Sequence, residues 1–259
     1  MSQLETRPRH RILGANLRRH DALEKVRGRT SFAADFALPR MLHAMLKRSE
    51  YAHARIVSVD ISAAQAIAGV VGVYTAADVP HNTVSVDVPG QTVEVGALKA
   101  LSNVLADGLV RYHGEPIVVV AAETEDAALA AVEAIDVSYE PLPVVDDAER
   151  AVEDGAPELH EGGNLLASWG LEEGDVDAAL GHEDAVVVDR VYRTQFVDHA
   201  YLEPEAGVAW LDTDGIITIR AATQVIEHFR DVAKILGVPH GRVRVIAPYI
   251  GGGSAARRT

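Results

Sequence analysis

The spacing of apolar and polar positions changes period several times along the chain, and each change predicts an element. Met41 to Leu46 and Ala54 to Ile61 carry strand-type patterns, the second setting Ile56, Val59 and Ile61 among polar neighbours. A short helical stretch, Ala63 to Ala68, is ended by Gly69, and Val70 to Tyr74 reads as a third strand. The glycine-punctuated segment His81 to Leu105 predicts an irregular excursion. Beyond it come strand Leu109 to Tyr112, a turn at His113-Gly114-Glu115-Pro116 and the apolar run Ile117 to Ala122. Thr124 predicts an N-cap, with Glu125 and Asp126 in the first turn where the helix dipole favours negative charge. An alanine-rich helix then runs to about Ile135, strand Asp136 to Glu140 follows, and Pro141 and Pro143 close the block.

Asp146 to Ser168, rich in acidic residues, Gly and Ala, reads as a linker. In the second block, Ala185 to Phe196 predicts a long strand and Ala206 to Leu211 another, turned at Asp212 to Gly215 into Ile216 to Ala222. From Val225 the period becomes helical. Val225, Ile226, Phe229, Val232, Ala233 and Leu236 share one face, Glu227, Arg230, Asp231 and Lys234 point outward, and Gly237 with Pro239 stops the helix. Strand Val243 to Ala247 then leads through Pro248-Tyr249-Ile250 into Gly251-Gly252-Gly253. Without Cβ atoms such a loop can turn its N–H groups toward a ligand at close range. A loop of this kind normally has protein on both sides; here six residues follow, so it predicts the first part of a larger site.

Composition narrows the function. The chain has 259 residues, 48% hydrophobic, enough for ordinary buried cores. Lys+Arg 24 against Asp+Glu 38 gives a formal charge of -14, which argues against nucleic acid as a partner. The basic residues cluster at the start, in Arg7, Arg9, Arg11, Arg18, Arg19, Lys25, Arg27 and Arg29, and predict an arm that docks on an acidic partner or on the acidic middle of the chain. Cysteine is absent, which removes disulfides, thiolate nucleophiles and thiolate-bound clusters; any redox centre is a bound cofactor or lies on another chain. No apolar stretch approaches the roughly 20 residues of a membrane span and no signal-peptide core is present, so a cytoplasmic location is expected.

Other chemistry finds little support. His199 and Glu203 stand four apart beside Glu205, but Pro204 and strand-like surroundings argue against a shared helical face and a metal pair. Ser49, Ser58 and Ser62 lack a nucleophile-elbow frame. Taken alone, Gln224 is a helix-start residue facing water.

Taken together, the ordered motifs carry more. Lys25 to Arg29, Leu42 to Ser49 with Ala52-His53-Ala54-Arg55-Ile56, Gly69 to Pro80 and Gly114-Glu115-Pro116-Ile117-Val118-Val119-Val120-Ala121 resemble the α/β-hammerhead domain of the xanthine dehydrogenase and aldehyde oxidase family. Leu202-Glu203-Pro204, Ala222-Thr223-Gln224 and Val243-Arg244-Val245 leading to the three glycines resemble the opening of its molybdenum-cofactor domain. The expected fold is therefore α+β: a basic arm (1–24), a hammerhead (25–145), an acidic linker (146–168) and an incomplete cofactor-binding domain (169–259).

The resemblance implies hydroxylation of a carbon in an N-heterocycle, or oxidation of an aldehyde, with oxygen from water. It implies a molybdenum-pterin cofactor in the cytosine dinucleotide form, with iron–sulfur clusters and FAD on partner chains. The implied partners are the C-terminal part of the molybdenum subunit, an iron–sulfur subunit and an FAD subunit. In the family the glutamine matching Gln224 hydrogen-bonds an oxygen ligand of the metal, and the loop matching Gly251, Gly252 and Gly253 lies against the cofactor. The family continues as Phe-Gly-Gly-Lys, often then Glu-Asp-Met, whereas this chain reads Ser254-Ala255-Ala256-Arg257-Arg258-Thr259. Loss of one T from the Phe codon of a GC-rich gene would yield that tail and a stop. This implies a frameshifted gene or a split subunit whose second part begins at the overlapping ATG. No complete catalytic set is expected in the chain, which alone would be inactive; the alternative is a non-catalytic remnant or interaction module. The substrate is not legible.

Overall fold

The computed structural model describes residues 16–85, 101–165, 170–171, 173–198 and 200–252. After α1 (Ala22–Val26), the first block holds β1 (His43–Arg48), β2 (Ala54–Asp60), α2 (Ser62–Gln65), β3 (Val70–Tyr74), β4 (Thr83–Ser85), β5 (Leu101–Asn103), β6 (Leu109–Val110), β7 (Pro116–Ala122), α3 (Glu125–Ala134) and β8 (Asp136–Pro141). The second holds α4 (Val176–Leu180), β9 (Gly207–Leu211), β10 (Ile217–Ala221), α5 (His228–Leu236) and β11 (Val243–Ile246). The mixture is α+β, as the sequence predicts.

β7 organises the first block. Its apolar run is the centre of an antiparallel sheet ordered β1-β7-β3, and Ile117, Val118, Val120 and Ala122 are buried because both faces of the strand are covered. A second antiparallel sheet is ordered β6-β2-β8. The core joins Val73, Val110, Ile117, Val118, Val120 and Ile135 to the small residues Ala64 and Ala131. α3 packs on β1 and β7 through Ala128 and Ala131, whose single methyls permit close approach. Its start is fixed by Thr124, whose side chain accepts the Ala127 N–H at 3.2 Å. The turn into β7 explains Gly114-Glu115-Pro116. Gly114 takes φ +86°, and the buried Glu115 carboxylate accepts the Arg111 N–H at 2.6 Å, closing the turn onto β6. The segment expected to be an irregular excursion contributes a short antiparallel pair, β4 with β5; residues 86–100 lie outside the described set.

The sheet of the second block is mixed, ordered β11-β10-β9, with β9 antiparallel and β11 parallel to β10. The β9–β10 hairpin is held by Asp212, whose Oδ1 accepts the N–H groups of Asp214 (3.0 Å) and Ile216 (2.9 Å), with the Arg244 guanidinium 3.5 Å from Oδ2. The parallel pair needs a crossover, and α5 supplies it. α5 ends as predicted at Gly237, φ +64°: Val238 N–H reaches Ala233 O and Gly237 N–H reaches Lys234 O. His81 N–H donates to Ile235 O at 3.0 Å, tying the first block to this helix end.

One expectation fails. Ala185 to Phe196 forms no strand, because a strand needs a neighbour for its N–H and C=O groups and, among the described residues, no backbone hydrogen bond joins 186–198 to another segment. Over the described part of the basic arm, no ion pair to the acidic middle occurs among the described residues. Arg19 and Lys25 pair with Asp21 at 2.8 and 2.6 Å, and the Lys25 ammonium lies 5.7 Å from the Tyr249 ring centre. α1 and α4 are helices the apolar spacing did not announce, each only five residues long.

Two outcomes test this account. Ile117→Ala should cost about 2–5 kcal/mol, read as a lower urea midpoint with unchanged slope, because Ile117 is 2% exposed at the core's centre. Asp212 is held below the usual carboxylate range, chiefly by the Ile216 N–H. A depressed folded pKa contributes stability above the unfolded value and loses it as pH falls through the folded one. Melting temperatures of Asp212→Asn should therefore lie below those of the unaltered chain at neutral pH, and the gap should close in acid.

Candidate functional site

Parallel pairing sets the geometry of the site. Ile217 pairs with Val243 and Arg220 with Ile246, so β10 and β11 end side by side and both following loops leave from one sheet edge. The carboxyl edge of adjacent parallel strands is where open α/β sheets bind ligands. Gln224 lies in the loop after β10, and Gly251 and Gly252 in the loop after β11. The topology thus brings the predicted amide and the first two predicted glycines to one edge. Gly253 lies outside the described residues.

Each loop is shaped by a buried polar side chain. Thr223, 6% exposed, donates its hydroxyl to Val225 O at 3.3 Å and accepts the Val225 N–H at 3.1 Å, closing a turn around Gln224. Gln224 itself is exposed, at the start of the crossover. A neutral amide in this position offers both a donor and an acceptor to a ligand.

The glycine loop rests on Glu203, which the sequence offered as half of a doubtful metal pair and as part of the Leu202-Glu203-Pro204 motif, with no role of its own. Glu203 is 6% exposed, and its Oε2 accepts the Gly251 N–H at 2.6 Å. Its Oε1 lies 3.5 Å from the N–H of Ala33, in a single helical turn at Ala33–Asp35. Glycine is required here by contact. A Cβ on Gly251 would fall 2.9 Å from the Glu203 Cβ and 3.2 Å from the Phe32 ring, and one on Gly252 would fall 2.7 Å from the Tyr201 Cβ. Ala200 takes the rare φ of +45°, and the Tyr201 hydroxyl donates to the Glu205 carboxylate, folding 200–205 into a tight corner beneath the loop. His199 lies outside the described residues, and no group of three or more potential metal ligands occurs among those described. The signal that could have found Glu203 is an acid beside a proline in an apolar run, a weak cue without its distant partners.

The edge beside the site is not closed by the described residues. A groove of about 1010 Å³ runs between residues 33–45 and the β9 edge, lined by Phe36, Met41, Met45, Val208 and Trp210 among others. Phe36 stacks at 5.8 Å on Trp210 and beneath the Arg220 guanidinium at 4.6 Å, so the N-terminal segment is a structural part of the second block.

Comparison with known proteins gives this geometry a context. The family described as "Aldehyde oxidase and xanthine dehydrogenase, a/b hammerhead domain" matches residues 27–143, and that described as "Molybdopterin cofactor-binding domain" matches residues 159–254. The chain is 40% identical to the nicotinate dehydrogenase large molybdopterin subunit of Eubacterium barkeri over 247 residues, covering 94% of this chain and 55% of that protein. It is 37% identical to a probable xanthine dehydrogenase subunit of Bacillus subtilis, covering 90% of this chain and 30% of that one. Among solved structures it matches quinoline 2-oxidoreductase from Pseudomonas putida 86 (TM-score 0.77, 30% identity, 93% of this chain, 31% of the other). It also matches the aldehyde oxidoreductase of Desulfovibrio gigas (TM-score 0.80, 25% identity, 93% and 27%). The chain thus spans about half or less of the length of these relatives. Two adjoining domain matches in the expected order, on a fold shared with solved oxidoreductases, make this chain a member of the xanthine dehydrogenase and aldehyde oxidase family, corresponding to the N-terminal part of its molybdopterin-binding subunit.

Proposed function

We propose that this chain supplies one wall of a molybdenum-pterin site, the other wall being supplied by the remainder of the cofactor-binding domain. The observation that carries the reading is the succession of both family domains with Gln224 and the glycine loop brought to one sheet edge. Gln224 would hold the cofactor through its neutral amide, and Gly251, Gly252 and Gly253 would line it with backbone. A molybdenum pterin supplies the oxidation of a ring or aldehyde carbon with oxygen taken from water. The chain's part is to bind and orient: Thr223 presents Gln224, and Glu203 holds the loop opposite.

Several features support a site completed by further protein. The matched stretch makes up 55% of the nicotinate dehydrogenase subunit but 30% of the Bacillus subtilis chain, so molybdopterin subunits of this family differ widely in length. Segment 185–198 has strand composition and, among the described residues, no strand neighbour. Val186 is 91% exposed, Tyr192 86% and Phe196 fully, far more contiguous apolar surface than a finished domain leaves uncovered. Ile226 and Leu236 on or beside α5 are exposed as well, although the helix places them on its apolar side.

The complete enzyme in this reading hydroxylates a carbon of an N-heterocycle or oxidises an aldehyde. The relatives named for nicotinate and quinoline favour the heterocycle. It uses the cytosine dinucleotide form of the cofactor, passes electrons to an iron–sulfur subunit and an FAD subunit, and works in the cytoplasm. Among the described residues no helix is long and apolar enough to cross a membrane.

The 259 residues purified by themselves should contain no molybdenum, whereas the same residues coexpressed with the remainder of the cofactor-binding domain should yield a complex that holds it in elemental analysis. A complex that forms without metal would return the chain to the remnant reading. Within the loaded complex, Gln224→Ala should lower molybdenum occupancy or turnover about 10–100-fold, as losing a ligand-orienting group does.

A further inference from the structure

The corner Leu202-Glu203-Pro204 inverts the usual order of burial. Leu202 is 94% exposed and Glu203 is 6% exposed, so an apolar side chain faces out while a carboxylate is taken inside. Isolated burial of a carboxylate is costly and persists only where hydrogen bonds to the charged form repay it. Here the oxygens face two backbone N–H groups from opposite ends of the chain, Gly251 at 2.6 Å and Ala33 at 3.5 Å. Gly251 belongs to the candidate site; Ala33 belongs to the segment that stacks through Phe36 on Trp210.

We propose that Glu203 is a positioning residue: its buried carboxylate clasps the glycine loop to the N-terminal segment and fixes the loop backbone before any ligand arrives. The geometry leaves little alternative space. Oε2 takes the Gly251 N–H, the Glu203 Cβ occupies the place a Gly251 Cβ would need, and the Tyr201 Cβ does the same at Gly252. A loop tethered in this way offers its remaining N–H groups in a fixed arrangement, so a ligand bears little of the ordering cost. Glu203 is assigned no contact with substrate or metal. Its bearing on a cofactor rests on the reading above, whereas the clasp is a property of the chain by itself.

The test is amide hydrogen exchange by NMR on the full chain, without cofactor or partner. Glu203→Ala should speed exchange at Gly251 by about tenfold to a hundredfold, the loss expected for a hydrogen bond to a charged group, and should shift the Gly251 amide resonance upfield. Amides of β7 should exchange at their original rate. Glu203→Gln, which keeps a carbonyl acceptor on the same frame, should restore most of the protection at Gly251. Should Glu203→Ala fail to fold, Glu203→Asp, one methylene shorter, takes its place in the same comparison. Unchanged exchange at Gly251 in the Ala or Asp variant would overturn the proposal, and so would an equal acceleration at Gly251 and throughout β7. A clasp verified in this way on a chain that never acquires molybdenum in complex would count against the cofactor reading alone.

Discussion

The parallel pairing of β10 with β11 is the constraint on which the candidate site depends. Parallel neighbours in one chain cannot be joined by a tight turn, so α5 must carry the chain back to the start of the sheet before β11 begins. That return places the end of β10 beside the end of β11, although Gln224 and Gly251 are far apart in sequence. An antiparallel arrangement would have put the two loops at opposite ends. The polar clamps then refine what the topology has brought together, with Thr223 closing one loop on itself and Glu203 holding the other from below.

Much of this fold was legible because its causes are local. Thr124 caps α3 through a neighbour three residues away, Gly237 ends α5 through bonds within the last turn, and β3 begins and ends where the apolar pattern does. The apolar run of β7 was legible as a strand, and its place at the centre of a sheet follows from having nothing polar to turn toward water. What stayed hidden depends on distant parts of the chain. Glu203 meets Ala33 across 170 positions, and no periodicity announces a carboxylate that is satisfied by backbone so far away. Gln224 was legible only through the family's ordered motifs, since by residue type it is an exposed polar group near a helix; the structure places it, exposed, in the loop that precedes α5.

The segment 185–198 failed for an instructive reason. Its residues favour extended backbone, with Val186, Val188, Tyr192 and Phe196 on one side and Val187, Val191 and Val197 on the other. β propensity expresses fit to a pleated, covered surface more than a preference of the isolated chain. A strand apolar on both sides asks for a sheet neighbour and for two covering layers, and the described residues supply none of them. The pattern is strand-forming, but the element it encodes is conditional on material that packs against it.

Two Glu-Pro pairs show how one dipeptide can serve both scaffold and site. Proline disfavours helical backbone in the residue before it, which keeps that residue extended and lets its side chain swing back over the preceding turn. Glu115, before Pro116, uses this freedom to accept the Arg111 N–H at 2.6 Å and start the central strand of the first block. Glu203, before Pro204, accepts the Gly251 N–H at the same distance but from a loop 48 positions away. The chemistry is the same in both: a buried carboxylate that replaces water with backbone donors. The difference lies in what is held. In the first case the carboxylate closes a turn four residues long, and any loss would be felt where the chain reverses. In the second it joins two segments that no ladder connects, so the loop's geometry depends on a side chain that the local sequence gives no reason to bury. That asymmetry is why the first Glu-Pro reads as architecture and the second as support for a site.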